Sequence, residues 1–347
     1  MISKLFKDIV TLQRGYDLPT QKRVAGNYPL MSSSHMDGSV SSYKVKGPGV
    51  ITGRSGTIGE VLYTDRNYWP LNTTLYVSDF RGNNPKYIYY WLSKFPLSKF
   101  SSGTSVPTLD RNDLFSIKTY VNELKIQEHI VDIIGSIDEK MTINKVLIEN
   151  YSNIVSYLYS YMTSQSHTDS VVKLGDVIEK NRTIFSSNDN AMLLDLSNIC
   201  SDSLSIENVS STKEFKTNLF TITKGTLFYG SIRPYLHKSG ICPFDGAVTG
   251  TIHTFKTKKG FDLLILGLIT SSKFHDYAVL NSQGTKMPVF TFDSLKDYKF
   301  FYSSTRLKRI SDFNCIINEI ILLNEQNLKL KAIKKTLLPL MLNEQVF

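Results

Sequence analysis

The sequence predicts an α+β fold: two β-rich domains in pseudo-symmetric tandem, separated by two long helices that pair as an antiparallel coiled coil. Three observations predict it. Short motifs recur in the same order at a nearly constant offset, two blocks carry strand and turn residues, and two proline-free stretches carry helical periodicity.

The repeat orders the rest. Lys4-Leu5-Phe6-Lys7-Asp8-Ile9-Val10 is matched by Lys173-Leu174-Gly175-Asp176-Val177-Ile178. Gly103-Thr104-Ser105-Val106-Pro107 is matched by Gly284-Thr285-Lys286-Met287-Pro288, 181 residues on (284 − 103). Leu114 and Leu295 keep that offset, and Asn144 and Asn324, like Leu158 and Leu338, keep one of 180. Each match is short, but their collinear order is hard to obtain by chance. The chain therefore reads as two units of about 1–165 and 166–347, each a mixed domain followed by a long helix.

The first mixed domain, 1–121, is rich in Tyr, Val, Thr and Ser and punctuated by Gly47-Pro48-Gly49, Gly53, Gly56, Gly59 and Gly82-Asn83-Asn84-Pro85. That is strand and turn chemistry. Val50-Ile51-Thr52 and Glu60-Val61-Leu62-Tyr63 should flank a glycine loop. Asn84 to Phe95 should form one amphipathic helix with Pro85 at its start. The second domain, 166–303, repeats the scheme, with a strand at Thr226–Tyr229 and a helix or buried segment at Asp262–Ile269.

The helical segments are 122–165 and 304–347. From Glu123 to Met162 steps of four and three pick out Ile130, Ile134, Ile137, Met141, Asn144, Ile148, Tyr151, Val155, Leu158 and Met162. That is a heptad seam with one polar member, of the kind that sets register at a cost in stability. A second helix is expected from about Arg306 to Leu338, with Ile310, Phe313, Ile317, Ile320, Leu323 and Leu328 apolar and Asn324 as its polar member. Forty residues of helix span roughly 60 Å, a rigid spacer.

Forty Lys and Arg against 31 Asp and Glu leave a net charge of +9, which favours a polyanionic partner. Cys200, Cys242 and Cys315 are odd in number and far apart, which suggests ordinary thiols in a reducing compartment. The opening residues are too charged for a signal peptide, and the longest apolar run, Leu263 to Ile269, is far too short to span a membrane. The expectation is a cytoplasmic protein that touches no membrane. The six histidines form no metal-ligand spacing, so no metal is expected. Arg54 sits in a glycine loop, but Gly-Arg-Ser-Gly-Thr-Ile-Gly lacks the lysine of a phosphate-binding loop. Asp113 with Glu123-x-Lys125 has the look of a nuclease triad, yet Glu123 at the start of a helix is ordinary dipole chemistry. No Asn-Pro-Pro-Phe/Tyr string occurs. No catalytic residue is expected.

With this organisation the sequence resembles the specificity (S) subunits of type I restriction-modification systems. The resemblance rests on Lys4-Leu5…Asp8-Ile9, the loop Gly53-Arg54-Ser55-Gly56-Thr57-Ile58-Gly59, Gly103-Thr104-Ser105-Val106-Pro107, Gln127…Ile130…Ile134…Ile137-Asp138, Lys173-Leu174-Gly175-Asp176 and Ser231-Ile232-Arg233-Pro234-Tyr235-Leu236. It implies two target-recognition domains, each reading half of a bipartite, asymmetric site in double-stranded DNA. It implies helices that set the spacer and dock two methyltransferase subunits, with restriction-translocase subunits joining the full complex. S-adenosylmethionine, ATP and Mg2+ would belong to those partners, and no cofactor to this chain. Two departures stand out: Gln283 precedes the second Gly-Thr-x-x-Pro, and Lys331, Lys334 and Lys335 lie near the expected seam.

Candidate DNA contacts are the basic residues on loops: Arg14, Lys22, Arg23, Arg54 with Ser55, and Arg111 in the first domain. In the second they are Arg182, Lys213, Lys216, Lys286 and the cluster Arg233, Tyr235, His237 and Lys238. Arginine suits phosphates and guanine edges alike. Any one of these residues alone is more often a solvated or internally paired charge. The rival readings are the S subunit of a type IIB enzyme, a coiled-coil scaffold that binds protein only, and an autonomous nuclease.

Overall fold

The computed structural model describes residues 1–103, 106–164, 170–186, 190–215 and 217–345. By its contacts the chain forms two compact units, Met1–Asp138 with Ile333–Phe347 and Glu139–Ala332.

Alternating apolar residues build the first unit around a four-stranded antiparallel sheet, in the order Thr11–Arg14, Thr74–Asp79, Gly49–Gly53, Val61–Thr64. Gly49–Gly53, an interior strand of this sheet, is wholly buried. Met36–Val40, Ala25–Met31 and Trp69–Pro70 form a second sheet, whose last pair is parallel. Ile2–Leu5 pairs with Lys118–Val121 and ties the two ends of the mixed domain together. The helix Pro85–Lys94 is capped by Asn84, whose side chain accepts from the amides of Lys86 and Tyr87, with Pro85 at the first position where its missing N–H costs nothing. It buries Tyr87, Ile88, Tyr90, Trp91 and Leu92 in one core with Phe6, Ile9 and Leu114.

The second unit repeats this topology. Its antiparallel sheet runs Ile178–Lys180, Ile252–Thr257, Leu227–Gly230, Ser239–Ile241. Its second sheet also holds one parallel pair, Met192–Leu194 with Gly246–Thr249. Ser170–Lys173 closes on Lys299–Tyr302 as Ile2–Leu5 closes on Lys118–Val121. The apolar segment Asp262–Ile269 is a buried helix.

Hydrogen bonds refine the sequence alignment of the repeats. Phe6 N–H donates to the Ile117 carbonyl, and Leu174 N–H to that of Tyr298. Leu5 faces Lys118, and Lys173 faces Lys299. The structural partner of Leu174 is thus Phe6, one residue beyond the Leu5 that the motif suggests. Both side chains are fully buried, so burial and not the shared leucine defines the position. Leu114 and Leu295 are equivalent as expected and equally buried.

The first long helix is continuous from Leu124 to Thr163. The second differs from expectation. It is a short helix, Ser304–Ile310, then a 3-10 turn, Ser311–Asn314, then a long helix, Cys315–Leu342. Asn314, the last residue of that turn, is of a type whose side chain competes for backbone groups and favours turns over helix interiors. Phe313, expected in the apolar stripe, lies in that turn and is exposed. The helix continues past Leu338 because Leu338, Met341 and Leu342 enter the first unit's core. Val155, Leu158 and Met162 likewise enter a core of the second unit. The compact units therefore divide the chain differently from the two sequence repeats.

Within the second unit the helical chain runs antiparallel: Arg306 donates to the Tyr161 carbonyl at 3.1 Å, and Asn144 Nδ2 donates to Asn327 Oδ1 at 2.9 Å. Asn144 is fully buried and also donates to Gln326 Oε1 at 3.2 Å. Asn324 does something else. Its Oδ1 accepts from the Ile206 amide at 2.7 Å and its Nδ2 donates to the Leu204 carbonyl at 3.0 Å. It therefore pins a loop of the mixed domain, and Leu328 packs against the neighbouring cluster of Leu194, Ile206 and Phe228.

Of the remaining seam residues, Ile130 and Ile134 are fully buried in the first unit, while Ile137 packs at its margin. Met141 is half-buried, and Ile148, Ile317 and Ile320 are buried in the second unit. The lysines near the seam have partners. Lys334 Nζ lies 2.5 Å from Asp138 Oδ1, and Lys331 Nζ donates to the Glu207 carbonyl at 3.0 Å.

Candidate nucleic-acid interface

In the first unit three arginines from distant parts of the sequence line one open concavity of about 240 Å³. Arg14 ends the edge strand Thr11–Arg14, Arg54 follows the buried strand Gly49–Gly53, and Arg111 opens the short helix Arg111–Phe115. Leu75, Thr108, Leu109, Asp110 and Asn112 complete the lining. Arg54 is held at both ends. Its amide donates to the Thr73 carbonyl at 2.8 Å, its carbonyl accepts from Leu109 N–H at 2.8 Å, and its Nε donates to the Asn72 carbonyl at 3.2 Å. Arg111 Nη1 donates to the Leu12 carbonyl at 3.4 Å. Asp110 is the one acid in the lining, and it caps the short helix by accepting from the Asn112 amide. Three guanidinium groups against one carboxylate suit an anion with several acceptor oxygens, a phosphate above all.

The glycine loop and the Gly-Thr-x-x-Pro element form one device, built the same way in both units. Gly56 N–H donates to the Pro107 carbonyl at 3.0 Å, and Arg233 N–H to the Pro288 carbonyl at 2.8 Å. The neighbouring bridges, Ser55 with Thr108 and Ile232 with Val289, match as well. Thr104 and Ser105 of the first element lie outside the described residues. Arg233 therefore occupies the place of Gly56. Gly56 has φ +89°, free of cost for glycine, but Arg233 holds φ +53° with a full side chain.

The same equivalence shows where the units differ. Gly53 faces Thr74 and Gly230 faces Ile252, so Leu75, which faces Arg14, corresponds to His253. Two residues beyond Lys180, which faces Phe255, the same register brings Arg182 to the place of Arg14. Ser231 replaces Arg54, and Phe292 replaces Arg111, following N-caps Asp110 and Thr291. In place of an arginine trio the second unit has Lys180 Nζ 4.6 Å above the Phe292 ring. Arg182 stacks 4.6 Å over Phe220 beside it, and both cations line a small hollow with His253. Burial holds the His253 imidazole below its ordinary value, with Lys180 and Arg182 pushing the same way.

The other expected contacts fall into two groups. Some are engaged inside their own unit. Arg23 forms an ion pair with Asp37 at 2.7 Å, Lys238 Nζ donates to the Leu196 carbonyl at 2.6 Å, and His237 Nδ1 donates to Asp202 Oδ1 at 2.7 Å. Ser55 is half-buried. Lys22, Lys213, Arg233, Tyr235 and Lys286 are exposed. Lys216 lies outside the described residues. Lys180 escaped the sequence reading. It precedes the expected Arg182 by two residues on the same sheet edge, and what marks it is its partner Phe292, distant in sequence.

A second apolar stripe lies on the first long helix. Ile143, Leu147, Ile154, Tyr157 and Tyr161, spaced by four, seven, three and four residues, are exposed, Tyr157 to 73%. The seam of Asn144, Ile148, Val155 and Leu158 is buried on the adjacent face, about 100° round the helix. No single helix among the described residues is long and apolar enough to cross a membrane.

Residues 3–150 match the family model of the type I restriction modification DNA specificity domain. No curated protein is close enough in sequence to match the chain. Among solved structures, the crystal structure of a type I restriction-modification system S subunit from M. genitalium is similar in fold. Its TM-score is 0.64 at 13% identity, covering 98% of this chain and 96% of that one. The HsdS subunit of Thermoanaerobacter tengcongensis aligns over 86% of this chain and 81% of its own, with 10% identity and a TM-score of 0.29.

Proposed function

We propose that this chain, which carries a type I restriction-modification DNA specificity domain over residues 3–150 and has the fold of an S subunit along its length, reads a bipartite, asymmetric site in double-stranded DNA. Residues 1–121 would read one half-site and residues 166–303 the other. The long helices, 122–165 and 304–347, would set the gap. The observation that carries the reading is the meeting of Arg14, Arg54 and Arg111 around one concavity in a chain of this family. Phosphate contacts there supply salt-sensitive affinity and register, while exposed loop residues such as Arg233 and Tyr235 reach base edges.

The assignment as a recognition subunit without catalysis of its own rests on the family match. Methylation and cleavage then belong to partners: two methyltransferase subunits and the restriction-translocase subunits, which bring S-adenosylmethionine, ATP and Mg2+. The exposed stripe from Ile143 to Tyr161 suits a methyltransferase partner, since an unpartnered heptad of large apolar side chains is costly in water. A type IIB enzyme would use the same recognition unit.

The test is the salt dependence of DNA binding by the complex with its methyltransferase. Each lost phosphate contact lowers the slope of log K against log salt by about 0.9. Arg14→Ala, Arg54→Ala and Arg111→Ala together should lower it by roughly 3. An unchanged slope would show that the concavity meets no phosphate.

A further inference from the structure

We propose that the second unit holds a zinc site made by Asp202, His237 and His275, which ties the Arg233–His237 turn to the sheet and helix behind it. The three ligand atoms lie within 4.8 Å of one another. They come from three separate elements: a loop before Ser203, the turn after Pro234–Leu236, and the helix Ser272–Leu280. Two imidazoles and a carboxylate form a donor set that suits Zn2+, leaving a fourth position for water.

The supporting groups are of the kind that orient metal ligands. Tyr229, fully buried, lies with its hydroxyl 3.0 Å from His275 Nδ1, which leaves Nε2 as the nitrogen for a cation. Asp202 N–H donates to the His237 carbonyl at 3.3 Å while the His237 ring faces the Asp202 carboxylate. Asp202 and His237 both have left-handed backbones, at φ +51° and +48°.

Tetrahedral zinc at about 2.1 Å from each ligand sets donors roughly 3.4 Å apart. The His237 ring lies parallel to that of His275 at 4.3 Å and must swing off its face to bind. It is free to do so, since His237 and Asp202 are the accessible members and His275 the fixed one. The sequence hides this site because its ligands share no short spacing.

The experiment titrates the full chain with zinc against a chromophoric chelator at neutral pH, without DNA, so the outcome is independent of what the arginine concavity binds. One equivalent of zinc should bind, raise the unfolding temperature and be removed by a stronger chelator. Asp202→Ala, at an exposed position that leaves the core intact, should weaken binding on the order of 100-fold, and Tyr229→Phe by about tenfold. Cobalt in place of zinc should give ligand-field absorption that His275→Ala abolishes. The proposal is overturned by zinc binding equally tight in wild type and Asp202→Ala, or by no binding in either.

Discussion

Replacing Lys334 with methionine should destabilise the first unit, and most of the loss should vanish when Asp138 is replaced as well. Lys334 Nζ sits 2.5 Å from Asp138 Oδ1 and 2.7 Å from Oδ2, and Tyr90 donates its hydroxyl to Oδ2 at 2.8 Å. The ammonium also lies 5.1 Å above the Tyr90 ring. The two side chains are only 20% and 23% exposed. Removing one partner of a fully buried pair costs 3–5 kcal/mol, and one-fifth exposure lowers that to about 2–3 kcal/mol for Lys334→Met, which keeps the aliphatic stem. Asp138→Asn should cost less, about 1–2 kcal/mol, because the lysine can turn its head to water. The double variant should lose no more than about 1–2 kcal/mol, giving a coupling near 2 kcal/mol. The assay is urea unfolding of the full chain followed by tryptophan fluorescence. Both tryptophans, Trp69 and Trp91, lie in the first unit, so the signal reports that unit alone. Effects that add to within about 0.5 kcal/mol would refute the ion pair as described.

Other predictions follow from the same geometry. Arg233→Gly should raise the unfolding temperature of the second unit slightly, because glycine takes φ +53° at a saving of about 1 kcal/mol. It should at the same time weaken recognition of one half-site, and equal loss at both halves would contradict separate readers. Gly53→Ala would place a Cβ 1.8 Å from the Thr57 carbonyl oxygen, so the glycine loop must shift at a cost of about 1–3 kcal/mol, read by the same tryptophan signal. His253 is held neutral by burial, its folded pKa below the ordinary 6.5. Its contribution to stability is therefore full above about pH 6.5 and is lost as the pH falls below that value. His253→Gln should flatten the decline of unfolding temperature between pH 7 and pH 5, and an identical decline would show that this imidazole does not titrate on unfolding. Removing seven residues, about two turns, from the Glu123–Met162 helix should change the gap between half-sites and leave the half-sites themselves unaltered.

Much of the fold was legible because local rules and global packing agree. Asn84-Pro85 announced a helix start, Gly53 to Gly59 a turn between paired strands, and the heptad from Ile130 to Met162 an unbroken helix. The failures have physical causes. The shared Lys-Leu of the repeats misled by one residue, since burial at Phe6 and Leu174 matters more than residue type. Ser311 to Asn314 broke a helix that apolar spacing alone continued. Asn144 and Asn324 looked alike in sequence, yet one bonds across the helical seam and the other pins the loop at Leu204–Ile206. The candidate site was legible as a list of basic loop residues and not as a place. Arg14, Arg54 and Arg111 meet only because their strands and short helix are neighbours, and Lys180, Asp202 and His275 gain meaning only beside Phe292, His237 and Tyr229.

The central claim is that two recognition units read two half-sites at a set distance. Methylome sequencing of a host expressing this chain with the methyltransferase proposed as its partner tests it most directly. The account predicts a two-part methylated site with a constant gap, of which Arg233→Ala degrades one half alone. A single continuous motif, or a variant that degrades both halves equally, would contradict it.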